Sequence, residues 1–212
     1  MTKIIFVRHG YSESNKEKRF CGQRDVPLDA LGHSQAEQMK EYLLKNYTID
    51  AIYSSDLCRA VDTVKPIANA LNKEIHTSEA LREVNVGIWQ GMLVEEVKIK
   101  YPKAFLRYKE TPGLTRFEGG EGYDDILARA LPAVQKIAAE NEGKTVIIGT
   151  HGGVIRVLRA AWTGIPLERI DEVAPVANAS VTEVDCENGS FRIVQIGYAD
   201  YLTDKTQAKR TE

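Results

Sequence analysis

Cysteine is scarce in this chain of 212 residues: Cys21, Cys58 and Cys186 are odd in number, widely spaced and never in a CxxC pair. A disulfide frame and a cysteine-rich zinc site are both disfavoured, and the thiols are expected to be reduced, as in a cytoplasmic protein. No apolar run nears the roughly 18 residues that mark a membrane span. The stretch Ile4-Ile5-Phe6-Val7 is too short for a signal peptide and runs straight into Arg8 and His9. Charge of one sign is not in excess either. Lys plus Arg number 28 and Asp plus Glu 30, a formal net charge of -2, so the basic surplus of a nucleic-acid binder is missing. Neither GxxxxGK(S/T) nor GxGxxG occurs, which leaves nucleotide binding without a motif. The four histidines lack HxH or i,i+4 spacing and no carboxylate cluster flanks them, so no metal and no cofactor are expected. These absences predict a soluble cytoplasmic chain with no membrane or nucleic-acid partner, and they leave a homodimer open. Hydrophobic residues at 43% are enough to bury a sizeable core.

The four apolar residues at 4–7 read as a buried strand. Asp29 is placed to cap an amphipathic helix to about Asn46, with apolar residues at 31, 36, 39, 43 and 44. Ala51-Ile52-Tyr53 predicts a second strand. Ser54-Ser55 then caps a helix carrying Ala60, Val64, Ile67 and Leu71, which Pro66 should kink or shorten. Residues 87–122 break the pattern, mixing Trp89, Tyr101, Phe105, Tyr108 and Phe117 with Lys98, Lys100, Lys103, Arg107 and Lys109. A partly helical excursion is expected there. A helix over 126–138, interrupted by Pro132 and ending near Gly143, precedes an apolar strand at 145–149 and a helix with Val154, Ile155, Leu158 and Trp162. Strands near 180–184 and 191–196 flank Asn188-Gly189, a hairpin signal. From Thr203 a polar tail, 203–212, should fray. The alternation predicts one α/β domain over 1–212: three layers, a mostly parallel sheet with helices on both faces, a late hairpin and a helical excursion over the active site.

Ligands of open α/β sheets bind beyond the carboxyl ends of the strands. Three such ends carry unusual residues: Arg8-His9-Gly10, then Ser54-Ser55-Asp56 leading to Arg59, then Thr150-His151-Gly152-Gly153. Singly, each has a plain structural reading as a turn glycine, a surface arginine or a strand-end histidine. Together they do more. A guanidinium at the end of a buried strand needs an anionic partner. Gly10 admits close approach, and the N–H groups at Gly152-Gly153 open a helix and favour an anion. The set suits a phosphate-sized anion held by fixed positive charge, with an imidazole as nucleophile. A metal at its centre would be repelled by Arg8 and Arg59.

Arg8-His9-Gly10, the 12–15 stretch, Ser55-Asp56-Leu57-Cys58-Arg59-Ala60, Leu81-Arg82-Glu83 and His151-Gly152 resemble, in that order, the histidine phosphatase superfamily. That family includes the cofactor-dependent phosphoglycerate mutases and many broad phosphatases. The resemblance implies that His9 becomes phosphohistidine, that Arg8, Arg59 and His151 line the phosphate pocket, and that Glu83 donates the proton. Asn15, Gly10, Gly22 and Gly152 are assigned by it to substrate binding. Gly22, Asp25, Pro27 and Leu28 are similar to the family's segment before the first long helix, and Gly119-Gly120-Glu121 to its GGE segment. Gly122 departs from the serine common there. The wording of residues 83–91 resembles the phosphatases more than the mutases. A metal-independent phosphomonoesterase for a small phosphorylated metabolite is therefore expected over a mutase. It is also expected over a non-catalytic phosphate binder, because nucleophile and arginines are all kept. Substrate candidates span phosphorylated sugars or glycolytic acids, phosphoserine and α-ribazole phosphate. The 98–109 stretch reads either as a contact for an acidic substrate or as a solvated helix face. Cys21 and Cys58 are expected to be filler, not catalysts.

Overall fold

Ile4, Ile5, Phe6 and Val7 are all buried, though successive side chains of a strand point to opposite faces. Their strand must therefore be covered on both sides. The computed structural model describes residues 1–204. Along the chain they form β1 (Thr2–Arg8), α1 (Glu13–Lys16), α2 (Ala30–Asn46), β2 (Ala51–Ser55), α3 (Cys58–Leu71), β3 (Ile75–Ser78), α4 (Val94–Lys100), α5 (Pro102–Glu110), α6 (Tyr123–Glu140), β4 (Thr145–Thr150), α7 (Gly152–Thr163), β5 (Val181–Glu187) and β6 (Ser190–Tyr198). The six strands make one sheet in the order β3-β2-β4-β1-β5-β6. The first four are parallel, β5 runs antiparallel to β1, and β6 antiparallel to β5. Ile4 and Phe6 pack with Ile126, Ala130 and Val134 of α6 and with Val154 and Leu158 of α7. Ile5 and Val7 pack on the other face with Met39 and Leu43 of α2 and with Val64 and Ile67 of α3. The three-layer α/β domain expected from the sequence is what forms.

Register decides where the strand ends fall. β1 pairs with β4 from Lys3 opposite Thr145 to Arg8 opposite Thr150, so Arg8-His9 and Thr150-His151 leave the sheet side by side. β2 pairs Ser54 with Gly149, which sets the third loop start beside them. Asp29 caps α2 as predicted, its Oδ1 accepting the Gly32 N–H at 2.9 Å. Asn188 and Gly189, at φ of 50° and 79°, make the two-residue hairpin turn.

Several local expectations give way. Ser54-Ser55 does not cap α3: its N-cap is Leu57, without a side-chain cap. Pro66 does not shorten α3, which runs to Leu71, and Pro132 does not interrupt α6. Each removes one N–H from the ladder at a cost of about 3 kcal/mol, but α3 and α6 bury Val64, Ile67, Ile126 and Val134 at roughly 1.5–3 kcal/mol each. Packing wins. α6 stops at Glu140, short of Gly143. α1, at Glu13–Lys16, is a short helix that sequence pattern does not announce, capped by Ser12. β3 carries no apolar alternation to announce it, being a polar edge strand with Ile75 its one apolar residue. Over 87–122 the chain forms α4, α5 and short 3₁₀ turns around Trp89, whose ring lies 5.0 Å from Phe20 and 5.1 Å from Phe117. Thr203 is held, its N–H donating to Gln38 at 2.8 Å. The remainder of the expected tail from residue 205 lies outside the described residues.

Candidate active site

Two glycines let the chain after β1 lie against the first turn of α2. A Cβ on Gly10 would stand 2.8 Å from the Gly32 carbonyl oxygen, and one on Gly32 only 2.0 Å from that of Tyr11. The segment is then pinned: the Gly10 N–H donates to Thr63 Oγ1 at 2.9 Å and the Tyr11 N–H to Gln35 Oε1 at 2.8 Å. From the other side Asn178 Nδ2 donates to the carbonyls of His9 at 3.0 Å and Gly10 at 3.3 Å. His9 Nδ1 lies 2.8 Å from the Gly10 carbonyl. A carbonyl can only accept, so Nδ1 carries the proton and Nε2 keeps its lone pair. Burial, then Arg59 and Arg8, hold the His9 pKa well below the usual 6.5. The imidazole is neutral, with one nitrogen available to attack.

Arg59, on the first turn of α3, is 1% exposed. It spends two N–H groups on carbonyls, Nη1 on Arg24 and Nη2 on Gly22, both at 2.8 Å. Gly22 turns its carbonyl there through a φ of 56°. Arg8 Nη1 donates to the Val176 carbonyl at 2.5 Å. His151 is fully buried, its ring 5.2 Å from that of His9, and burial followed by Arg59 pushes its pKa well down too. Its Nε2 meets Ser55 Oγ at 2.9 Å, while that oxygen accepts the Leu57 N–H at 3.3 Å. A Ser55 hydroxyl that donates to Nε2 leaves the His151 proton on Nδ1, the ring nitrogen that has no protein partner. Among the described residues Arg59 Nε and His151 Nδ1 are buried without a hydrogen-bond partner. A buried donor left so costs about 1–3 kcal/mol, which an anion's oxygens can recover.

Glu83 reaches the same place from the segment after β3. Its Oε1 accepts the Val84 N–H at 2.9 Å and its Oε2 the Gly153 N–H of α7 at 3.1 Å. Asn15 commits its oxygen to the Ser12 N–H at 3.1 Å, the Ser12 hydroxyl at 2.9 Å and Asn178 at 3.3 Å, so it can offer a ligand only its amide hydrogens.

Arg8, His9, Asn15, Gly22, Arg59, Glu83 and Gly152 line one cleft of about 610 Å³. Gly10 and His151 are not among its lining residues, but the His151 ring stands 5.2 Å from that of His9, which is. The 98–109 stretch divides between its two readings: Lys98 and Lys109 border the cleft, while Lys100, Lys103 and Arg107 are exposed. Phe105 and Tyr108 border it as well, their rings 6.4 and 5.8 Å from that of Trp89. Among the described residues no group of three or more His, Cys, Asp or Glu is placed to hold a metal ion, and no helix is long and apolar enough to cross a membrane. The Cys58 thiol is pushed up to about 12 by burial and then by Asp25 and Asp62, which makes it a poor nucleophile. Sequence reasoning misses Thr63, Gln35, Asn178 and the Ser55–His151 contact. Thr63 had a signal, one helical turn after Arg59; Asn178 had none.

The sequence model of the histidine phosphatase superfamily (branch 1) matches residues 4–198. Phosphoserine phosphatase 1 of Hydrogenobacter thermophilus is 32% identical over 196 residues, covering 92% of this chain and 87% of the relative. Glucosyl-3-phosphoglycerate phosphatase of Mycolicibacterium vanbaalenii is 32% identical over 202 residues and 89% of each chain. Among solved structures, Bacillus stearothermophilus YhfR aligns with a TM-score of 0.90 at 32% identity, over 95% of this chain and 99% of that one. This chain belongs to branch 1 of the histidine phosphatase superfamily, and it is a phosphatase that acts on a small phosphorylated metabolite.

Proposed function

We propose that the phosphatase works through a phosphorylated His9. The observation that carries this reading is the bond from His9 Nδ1 to the Gly10 carbonyl at 2.8 Å, which leaves Nε2 unprotonated in a pocket of fixed positive charge. In the first step Nε2 attacks phosphorus and the bond to the ester oxygen breaks. Glu83 passes a proton to that oxygen, so the alcohol leaves neutral. Arg8, Arg59 and the Nδ1–H of His151 neutralise the equatorial oxygens throughout, which is most of what phosphoryl transfer asks of a protein. In the second step water attacks the phosphohistidine, Glu83 takes its proton back, and inorganic phosphate departs. Asn15 and the N–H group of Gly152 complete the oxygen-binding set, while the Gly153 N–H is held by Glu83. Farther out, Arg19, Lys98, Lys109 and Arg156 line the cleft against Glu95 and Asp171, four cations to two carboxylates, which favours an anionic alcohol.

Rapid quench of the enzyme with labelled substrate tests the intermediate. A base-stable, acid-labile adduct is expected in the native protein and none in His9→Ala. The same label trapped in both would remove His9 from the role.

A further inference from the structure

The segment that presents Glu83 has almost no regular structure of its own. Residues 82–86 lie between two 3₁₀ turns, Glu79–Leu81 and Gly87–Trp89. Its backbone groups bond to side chains as well as to other backbone, and a single guanidinium takes three of the carbonyls between 80 and 83. Arg129 of α6 donates from Nη1 to the carbonyls of Ala80 at 2.9 Å and Arg82 at 2.6 Å, and from Nη2 to that of Glu83 at 2.9 Å. The fourth carbonyl of the run, Leu81, accepts from Thr150 Oγ1 at 2.8 Å. Arg129 is itself held by Glu121, with Nε to Oε1 and Nη2 to Oε2 both at 3.0 Å. Glu121 Oε2 then accepts the Asn85 N–H at 2.9 Å and the Gln23 amide at 3.3 Å, and that same amide donates to the Glu83 carbonyl at 3.0 Å.

We infer that the Arg129–Glu121 pair is the positioning device that sets Glu83 at the leaving oxygen. This rests on the reading of Glu83 as proton donor. The backbone is fixed at 80, 82 and 83 by the guanidinium and at 85 by the carboxylate, so the Glu83 Cα has little freedom to move. Only arginine can do this, because the three carbonyls and two carboxylate oxygens are met by the planar fork of five N–H groups. A lysine in its place keeps the charge and loses the fork. The consequence is specific. Proton donation depends on placement to within a fraction of an ångström, whereas the phosphate pocket is built from other elements and is expected to be untouched.

Steady-state kinetics of the full chain on an alkyl phosphate and on p-nitrophenyl phosphate separate the possibilities. Arg129→Lys should lower kcat about 10- to 100-fold on the alkyl ester and about threefold or less on the aryl ester, whose leaving group hardly needs a proton. Inhibition by inorganic phosphate should stay within about twofold of the native value. In a Glu83→Gln background, Arg129→Lys should add no further leaving-group-dependent loss. Equal losses on both esters, or additive losses in the double variant, would overturn the inference. Glu83→Gln alone tells the two readings apart. If it too loses equally on both esters, Glu83 is not the proton donor. If it is selective and Arg129→Lys is not, only the positioning inference fails. Should Arg129→Lys lose its thermal transition, Glu121→Gln, which keeps the shape and removes the ion pair, faces the same criteria.

Discussion

A histidine that attacks phosphorus has to be neutral, and His9 and His151 are kept neutral by burial first and by the arginines second. The same arrangement makes the fold sensitive to acid. Both folded pKa values lie below that of an exposed histidine, so under pH 6.5 the unfolded chain takes up protons that the folded chain refuses. Stability therefore rises with pH through this window and is lost as pH falls from about 6.5, at up to about 1.4 kcal/mol per pH unit for each histidine. Urea midpoints between pH 7 and about 5.5 should show it. In His9→Ala the slope should fall by about half, because one of the two groups is gone. A midpoint indifferent to pH over this range, or an unchanged slope in the variant, would contradict the burial argument.

At the scale of elements, the site depends on how closely the β1–α1 connection lies on α2. The Gly32 position leaves 2.0 Å for a Cβ against the Tyr11 carbonyl, and both partners are backbone. Gly32→Ala should destabilise the fold by about 1–3 kcal/mol, the usual cost of overpacking. It should also lower turnover, since the displaced segment carries His9. Denaturation midpoints and kcat test both, and a variant as stable and active as the native chain would show that the contact gives way cheaply. The positions of Arg8, His9, Arg59 and His151 are legible in the sequence because each interrupts or follows an apolar run, and strand ends of parallel sheets converge. Their supports are not legible for a physical reason. Asn178 meets His9 across 169 residues from a loop with no periodicity. Arg129 lies on α6 amid a helical pattern that signals neither its three carbonyl contacts nor its pair with Glu121. β3 is lost to pattern reasoning because a polar edge strand has no buried face to alternate. Pro66 and Pro132 mislead because helix propensity is a weak prior beside tertiary burial.

For the whole molecule, the proposed mechanism draws in a phosphate with parts that need no loading: two guanidiniums and the end of α7. Activity should then be indifferent to excess EDTA, because the Lewis-acid role is already filled. Loss of turnover under chelation, restored by Mg²⁺ or Zn²⁺, would count against the mechanism.

The place of β1 in the sheet has a consequence for how the chain is made. β1 leaves the ribosome before either of its neighbours, β4 at Thr145–Thr150 and β5 at Val181–Glu187. At about 5–20 residues per second, translation needs roughly 7–30 s to travel from Arg8 to Thr150. For that interval Ile4-Ile5-Phe6-Val7 waits with both edges open, and Lys3 and Arg8 at its two ends are the charges that discourage pairing with another nascent chain. A chain released at residue 165 would already contain His9, Arg59, Glu83 and His151. It would still lack the strand that covers the outer edge of β1, and His9 would sit on an exposed, sticky border.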